Sequence, residues 1–250
     1  MLLQKSKLLE KYSSLQHSFT TKDGGVSLSP YSSLNLAFHV NDNRERVIQN
    51  HQLLADKLHY RKENLIHMKQ IHSAKVIKVD KKYNFNNSPT CDALITDKKE
   101  TPLMVMVADC SPILFYDSVQ KVIAVAHAGR EGAFLNIIKN VIDTFKESYN
   151  SNPKDIVISV GASICQNCYE VNKEIFDEAV ELGYCLAIHR KDKRYFLDIR
   201  LILKRQFREN GIKEKNIEIS NECSSCSNKK YFSYRADGVT GRFAGLIMMS

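Results

Sequence analysis

Cysteine and histidine side chains stand at the two ends of one apolar stretch of the chain, Ala108–Gly132. Cys110 precedes the first strand-like run of this stretch, and His127 follows the second. A thiolate and an imidazole at close range can share a metal ion, or can act as a nucleophile and its base. Burial alone is the simpler explanation for the cysteine, because cysteine is among the most buried residue types.

The short connection between the two runs, Asp117–Lys121, predicts a β-hairpin. If Ser118 and Val119 form a two-residue turn, Cys110 lies directly opposite His127, with β-carbons about 5 Å apart. A three-residue turn moves the pairing by one position and places the two side chains out of register. The hairpin therefore makes a shared site plausible and leaves the register open.

A catalytic zinc ion has three protein ligands and one open position for water, whose pKa the metal lowers to about 7. His72 lies at a break between two strand-like runs, where loops carry function, and is one candidate for the third ligand. His67 lies within a strand-like run and is interpreted as structural. The other histidines have no obvious partner in the sequence: His17, His39, His51, His59 and His189.

Two C-x-x-C pairs, Cys165–Cys168 and Cys223–Cys226, are typical of a structural zinc site with four cysteines. The pairs are much further apart than a compact zinc ribbon requires, so we interpret them as reduced thiols. A second zinc and a redox-active pairing are the alternatives. The seven cysteines and the missing export signal favour thiols or metal ligands over a disulfide framework. Cys91 and Cys185 are interpreted as core residues.

The net charge is +8, from 36 basic and 28 acidic residues, and the lysines are scattered. This distribution predicts a solvated surface; a basic pocket for an anion such as phosphate is the functional alternative. Nucleic-acid binding is disfavoured because no binding motif is present. No run approaches the ~18 apolar residues of a membrane span. The sequence therefore predicts a cytoplasmic protein without membrane association.

The spacing of apolar residues predicts both helices and strands. The helical stretches are Asn43–His59, Gly132–Tyr149, Asn172–Leu182 and Asp198–Asn210. The strand-like runs are Gln16–Thr20, Leu65–Lys69, Lys75–Val79, Ala93–Thr96, Leu103–Ala108, Ile113–Tyr116, Val122–Ala126, Ile156–Gly161, Ile217–Ser220 and Gly245–Met249. Because strands and helices do not alternate regularly, we expect an α+β fold, an α/β sandwich with mixed sheets, in one domain over residues 1–250. Leu103–Ala108 and Val122–Ala126 are apolar on both faces and are predicted to be central strands.

Several ordered motifs together resemble one protein family over nearly the whole chain. The motifs are GGVSLSPYSSLNL (Gly24–Leu36), NDNRERVIQN (Asn41–Asn50), QIHSAKV (Gln70–Val76), CDALIT (Cys91–Thr96), VADCSPILFYD (Val107–Asp117), AVAHAGREG (Ala124–Gly132), CYEV (Cys168–Val171) and FSYRADGVTGR (Phe232–Arg242). They resemble the YfiH family, also called PgeF or the multicopper polyphenol oxidoreductase (laccase) family.

The resemblance implies a YfiH-like fold of mixed sheets between outer helices, related to bacterial toxin deamidases with a Cys-His pair. It implies a zinc ion held by His72, Cys110 and His127. It also implies purine nucleoside chemistry, namely deamination of adenosine and phosphorolysis of adenosine, inosine, guanosine and methylthioadenosine. The family was earlier described as copper laccases and has been linked to peptidoglycan quality control.

The chain departs from the family pattern beside the expected metal ligands. The family usually reads H-A-G-W-R-G, whereas this chain has Arg130 and Glu131 after His127-Ala128-Gly129. The family's G-P-x-I is Gly161–Ile164, GASI, in this chain. The metal ligands themselves are unchanged, so these departures bear on substrate preference and efficiency.

Three further residues are candidates for substrate binding. Arg235 and Arg242 are candidates for an anion site, because a guanidinium matches phosphate oxygens in bidentate fashion. Structural ion pairs are the equally weighted alternative for both arginines. Asn35 is a candidate for binding the ribose or base of a nucleoside, or for capping a turn.

Other functions fit the same residues. Cys110 and His127 without metal would form the nucleophile and base of a cysteine hydrolase or amidase. A zinc-stabilised module that binds nucleic acid would use the basic charge instead. A copper polyphenol oxidase is compatible with the ligand set, although the paired histidines of a multicopper relay, as in H-x-H, do not occur.

Overall fold

The computed structural model describes residues 1–250. The helices are α1 (Arg44–Leu58), α2 (Arg130–Phe134), α3 (Ile137–Tyr149), α4 (Lys173–Glu181), α5 (Ile199–Glu209) and α6 (Tyr234–Asp237). The strands are β1 (Leu3–Gln4), β2 (Leu15–Thr20), β3 (Val76–Lys78), β4 (Ala93–Thr96), β5 (Leu103–Val107), β6 (Ser111–Asp117), β7 (Val122–Ala128), β8 (Ile156–Val160), β9 (Glu170–Val171), β10 (Ile188–Lys191), β11 (Arg194–Leu197), β12 (Ile217–Ile219) and β13 (Phe243–Met249).

Two large sheets carry the architecture. The six-stranded sheet has the order β12-β8-β6-β7-β4-β3, with antiparallel pairs at its centre and a parallel pair at each edge. The four-stranded sheet has the order β1-β2-β13-β5 and is antiparallel throughout. A small third sheet has the order β10-β11-β9. The mixed sheets confirm the predicted α+β class.

Alternation of side chains along the strands produces a four-layer sandwich. In β7, Val125 points toward the four-stranded sheet, and Ala124 points toward α3 and α5 on the opposite face. In β5, Val105 faces the six-stranded sheet, and Met104 packs against α1. Helices therefore cover both outer faces, and every strand at the centre is buried on two sides.

The predicted helix Gly132–Tyr149 is in fact two helices, α2 and α3. Asn136 lies between them with φ of 55°, a left-handed conformation that ends one helix, and its side chain accepts a hydrogen bond from Lys139 N (3.2 Å), capping the next. The remaining three predicted helices are observed within one residue at each end. Asn43 caps α1, since its side chain accepts a hydrogen bond from Arg46 N.

Two strand predictions are wrong. Leu65–Lys69 makes only isolated bridges, from Ile66 to Leu103 and from Lys69 to Thr90. Strand β5 is buried on both faces, yet it lies at the edge of its sheet and not at the centre. An apolar run on both faces reports that both faces are covered, here by the six-stranded sheet and by α1. It does not report whether the strand lies at the centre or at the edge of its own sheet. No helix of the protein is long and apolar enough to cross a membrane.

Replacement of Leu203 by alanine tests the packing of α5 on the six-stranded sheet. Leu203 is fully buried in that layer, so Leu203→Ala should lower the free energy of unfolding by about 2–5 kcal/mol. Leu201→Ala is the matched control, because the same side chain on the same helix is 39% exposed there and its loss should cost less than about 1 kcal/mol. Urea denaturation measures both, and equal losses would contradict this packing.

Candidate active site

The β6–β7 hairpin sets the relation between Cys110 and His127. Pro112 lies opposite His127, and Asp117 opposite Val122, so the loop has four residues and both registers considered from the sequence are wrong. Compared with a two-residue turn, the pairing moves by two positions, and a shift of two leaves every side chain on its original face. Cys110, just before β6, is therefore a diagonal neighbour of His127 on the same face.

The side chain of Asp117 explains the longer loop. Its Oδ1 atom accepts hydrogen bonds from the backbone N–H groups of Val119 (2.8 Å) and Gln120 (3.1 Å). Lys121 then adopts φ of 55° to return the chain to β7. An aspartate that organises the following backbone is a known turn-forming device, and it extends the turn here beyond Ser118 and Val119.

The structure brings His72, Cys110 and His127 together. Their potential ligand atoms, two imidazole nitrogens and one Sγ, all lie within 4.8 Å of one another. The ring centroids of His72 and His127 are 4.8 Å apart, in an edge-to-face arrangement. His72 is exposed, Cys110 is half-buried and His127 is buried, so the group runs from solvent into the sheet.

The buried carboxylate of Asp92 holds the His127 side chain and the backbone of His72 in place. It accepts a hydrogen bond from His127 Nδ1 (2.9 Å) and backbone hydrogen bonds from Ile71 (3.2 Å), His72 (3.0 Å) and Ser73 (2.7 Å). The hydroxyl of Ser73 also donates to it, at 2.7 Å. The contact with Nδ1 leaves His127 Nε2 free to bind a metal, and a carboxylate behind a metal-binding histidine is a usual arrangement.

The loop that carries His72 is fixed on its other side by Gln70. The side-chain amide of Gln70 donates to Met106 O (2.8 Å) and accepts from Met106 N (3.0 Å), so it satisfies the free edge of β5 as a neighbouring strand would. His72 has φ of 59°, a left-handed conformation that the hydrogen bonds to Asp92 hold in place. A β-carbon added at Gly129 would lie 2.8 Å from Cys110 Sγ, so only glycine fits beside the group.

Cys110, His127 and Asp92 have strongly shifted pKa values. Burial raises the pKa of Cys110, but the charge of His127 and hydrogen bonds from both histidines outweigh it and bring the pKa to about 6. Burial lowers the pKa of His127, but the Cys110 thiolate and the Asp92 carboxylate raise it to about 9. Burial raises the pKa of Asp92, but hydrogen bonds from His127 and Ser73 bring it to about 2. Without metal, the group near pH 7 is thus a thiolate, an imidazolium and a carboxylate.

The group forms one wall of a pocket with a volume of about 340 Å³. The lining residues are His39, Gln70, His72, Met106, Val107, Ala108, Asp109, Cys110, His127, Ile164, Tyr169, Tyr234, Arg235 and Arg242. This volume lies within the range of small-molecule sites, and its walls combine apolar side chains with a few polar groups.

The structure places two of the three predicted substrate residues in the pocket. Arg242 is half-buried, and its guanidinium donates only to the backbone oxygens of Thr240 (3.1 Å) and Gly241 (3.0 Å), without a carboxylate partner. Arg235 is exposed, and its guanidinium donates to Glu170 O (3.0 Å). Neither arginine forms the ion pair that was the structural alternative.

Asn35 lies outside the pocket lining. It is fully buried, its Oδ1 accepts from the backbone N–H groups of Ala37 (3.0 Å) and Arg242 (2.9 Å), and its amide donates to Asp42 (2.9 Å). The capping role weighed for Asn35 matches these contacts, and through Arg242 N they position the chain that carries the guanidinium.

Several pocket residues carry no assignment from the sequence. His39 lines the pocket, and its pKa is lowered by burial and by the nearby charges of Arg242, His127 and His72. Asp109 joins two remote segments beside the pocket, because its carboxylate accepts hydrogen bonds from the Ser224 hydroxyl (2.7 Å) and from Arg235 N (2.7 Å). A signal for Asp92 was available in the sequence, because a lone aspartate leading into the buried run Ala93–Thr96 requires a partner.

The unusual residues Arg130 and Glu131 begin α2 and do not line the pocket. Arg130 pairs with Glu131 (2.8 Å) and with Glu178 on α4 (3.3 Å). The guanidinium thus lies between two helices on the protein surface. Such partly exposed pairs contribute little to stability.

A family model, related sequences and a solved structure all match this chain over most of its length. A family model described as "Multi-copper polyphenol oxidoreductase laccase" matches residues 16–250. The purine nucleoside phosphorylase YlmD of Bacillus subtilis is 31% identical over 242 residues, covering 92% of this chain and 87% of the relative. A purine nucleoside phosphorylase of Corynebacterium glutamicum is 37% identical over 233 residues, covering 92% and 93%. The crystal structure of the YfiH protein of Bacillus licheniformis has a TM-score of 0.92 at 31% identity, over 96% of this chain and 95% of that one.

The layered α+β fold places the chain in a class with the YfiH crystal structure, and residues 16–250 match the polyphenol oxidoreductase family model. Within that class, the chain belongs to the YfiH family.

Asp92→Asn tests the role of the buried carboxylate in metal binding. The amide keeps the size of the side chain but loses the charge that orients His127, so the affinity for zinc should fall about 10–100-fold. Competition with a chromophoric chelator measures the affinity. Asp80→Asn, at an exposed loop position, is the control and should leave the affinity unchanged. An unaltered affinity of Asp92→Asn would contradict this role.

The pH dependence of alkylation tests the thiolate at Cys110. In metal-free protein, iodoacetamide should label Cys110 with a midpoint at about pH 6, because only the thiolate reacts. Burial raises the pKa of Cys91 to about 12, so this buried thiol should stay unlabelled over the same range. Peptide mass spectrometry follows both sites. In His127→Ala, the midpoint for Cys110 should rise toward that of an ordinary thiol, because the charge of His127 no longer stabilises the thiolate. An unchanged midpoint would contradict this effect of His127 on Cys110.

Proposed function

We propose that the protein is a zinc-dependent purine nucleoside enzyme. Its reactions are phosphorolysis of adenosine, inosine, guanosine and methylthioadenosine, and deamination of adenosine. One observation carries the proposal: His72, Cys110 and His127 form a three-ligand group in the same pocket as Arg242, a cation without a carboxylate partner. The names of the relatives, both purine nucleoside phosphorylases, support the phosphorolysis.

The donor set fits a catalytic zinc. One thiolate and two imidazoles are ligands that Zn²⁺ prefers, and three protein ligands leave a position open. Asp92 orients His127 from behind, as a carboxylate does at established zinc sites. When bound, zinc would supply Lewis-acid activation of an oxygen atom near neutral pH.

Arg242 and Arg235 supply positive charge for phosphate in this proposal. In phosphorolysis, a phosphate oxygen forms a bond to C1′ of the ribose, the C1′–N9 bond breaks, and the released base takes up a proton. A guanidinium that donates only to backbone oxygens, as that of Arg242 does, keeps N–H groups free for a bidentate contact with the anion. Tyr169 and Tyr234 line the same pocket and are the candidates for aromatic contact with the purine.

Deamination needs no phosphate. An oxygen from water adds at C6 of adenine, the C6–N bond breaks, and ammonia leaves with the proton that the water gave up. His39 is suited to carry that proton, because its lowered pKa keeps the imidazole neutral near pH 7.

A metal-free cysteine amidase is the second candidate. Cys110, with a thiol pKa of about 6, lies beside His127, which in turn contacts Asp92 at 2.9 Å. This order of nucleophile, base and orienting carboxylate also occurs in cysteine hydrolases. The metal content of active protein separates the two candidates and also distinguishes zinc from copper.

The decisive experiment measures metal and products on one sample. Protein with stoichiometric zinc should convert adenosine to adenine and ribose 1-phosphate only when phosphate is added, and to inosine without phosphate, as read by chromatography. Cys110→Ala should lose both zinc and products. Full activity in metal-free protein would favour the amidase-type mechanism, and zinc-loaded protein without either product would exclude purine chemistry.

Arg242→Ala tests the anion site. Loss of a bidentate charged contact should raise the KM for phosphate by about 10–100-fold, while deamination of adenosine should change much less. Arg242→Lys should recover part of the loss, because it restores the charge without the fork geometry. Arg190→Ala, on β10 away from the pocket, is the control. Equal effects on both reactions would contradict a phosphate-specific role.

A further inference from the structure

The two C-x-x-C pairs form a second cluster of soft ligands. The Sγ atoms of Cys165, Cys168, Cys223 and Cys226 all lie within 4.8 Å of one another, and all four cysteines are free thiols. Because the two pairs are far apart in the sequence, each was interpreted as an independent pair of reduced thiols. The structure brings the pairs together.

A parallel pair of strands explains the convergence. β8 and β12 run side by side at one edge of the six-stranded sheet, and each C-x-x-C pair follows shortly after one of them. The pairing continues beyond the strands through Ser220 N to Val160 O (2.9 Å) and through a parallel bridge between Ser163 and Cys223. Adjacent parallel strands deliver their following loops to the same edge of a sheet.

The geometry matches a tetrahedral tetrathiolate. With Zn–S bonds of about 2.3 Å, the sulfurs of such a site lie about 3.8 Å apart. Cys168 Sγ and Cys226 Sγ are 3.3 Å apart, and the full group stays within 4.8 Å. The buried Cys223 Sγ accepts backbone hydrogen bonds from Cys165 N (3.2 Å) and Cys226 N (3.4 Å). Amide donors directed at a sulfur stabilise the thiolate form that binds metal.

We propose that Cys165, Cys168, Cys223 and Cys226 bind one structural zinc ion, separate from the ion assigned to His72, Cys110 and His127. Four cysteine ligands close the coordination sphere, so this ion takes no substrate. Tetrahedral sulfur ligation selects zinc or an iron–sulfur centre. Of these two we assign zinc, a borderline-soft ion without redox chemistry.

The tetrathiolate would hold a wall of the pocket in place. Ile164 and Tyr169, on either side of the first pair, both line the pocket, and Ile164 N donates to Asp109 O (2.8 Å). Ser224, inside the second pair, donates to the Asp109 carboxylate (2.7 Å), and Asp109 precedes Cys110 directly. A metal joining the two loops therefore restrains the backbone on which Cys110 stands.

Metal counting tests this assignment. Protein purified under reducing conditions should contain two zinc ions per chain. Cys226→Ser and His127→Ala should each contain one, because each removes a ligand from a different group. Cys185→Ser is the matched control and should retain two, because Cys185 is a free cysteine outside both groups and is exposed, contrary to its interpretation as a core residue. One zinc in the parent protein that persists in Cys226→Ser would overturn the proposal, as would iron at this position.

Spectroscopy on His127→Ala makes the test independent of folding defects in the cysteine variants. Zinc X-ray absorption of this variant should give a shell of sulfur at about 2.3 Å without nitrogen, and cobalt substitution should give the intense visible bands of a tetrahedral tetrathiolate. Nitrogen ligation, or a Cys168–Cys226 disulfide found by mass spectrometry of the reduced preparation, would overturn it. The purine reactions are assayed on the parent protein, so failure of the proposed function and failure of this inference give different results.

Discussion

The buried carboxylate of Asp92 is the constraint on which the candidate site depends. It joins the loop containing His72 to strand β7 containing His127, and its charge is balanced by backbone N–H groups and an imidazole instead of by water. A buried charge without such partners would be strongly destabilising, so the loop and the strand have to stay together while Asp92 is ionised. The same hydrogen bonds to Asp92 therefore hold the loop against the sheet and position the residues of the candidate site.

The sequence correctly predicted that Cys110 and His127 lie close together, although the predicted hairpin register was wrong. Sheet geometry has a period of two, so an error of two positions moves a side chain along the strand and keeps it on the same face. The turn itself was not predictable from residue preferences alone, because the Asp117 side chain replaces the usual turn residues as the organiser of the loop. The family resemblance supplied His72, which hairpin geometry does not specify.

The fold class and most long elements were predictable, whereas contacts between remote segments were not. Helices α1, α4 and α5 follow from apolar spacing and polar caps, which are local properties. At the edge of its sheet, β5 is hydrogen-bonded by the side-chain amide of Gln70 instead of by another strand. Asn35 accepts a hydrogen bond from Arg242 N, which is more than two hundred residues away in the sequence. Local patterns contain no information about such partners, which also explains why the two C-x-x-C pairs were interpreted separately.

The position of β13 in the four-stranded sheet has a consequence for how the protein acquires its structure. β13 lies between β2 and β5, so β5 has no strand partner, and β2 has only the short strand β1, until Phe243–Met249 is available. Non-local pairings of this kind close late and slowly. Arg242 immediately precedes β13, whereas Cys110 and His127 meet within one local hairpin. The ligand pair can therefore assemble early in folding, and the pocket receives its unpaired cation only with the last strand.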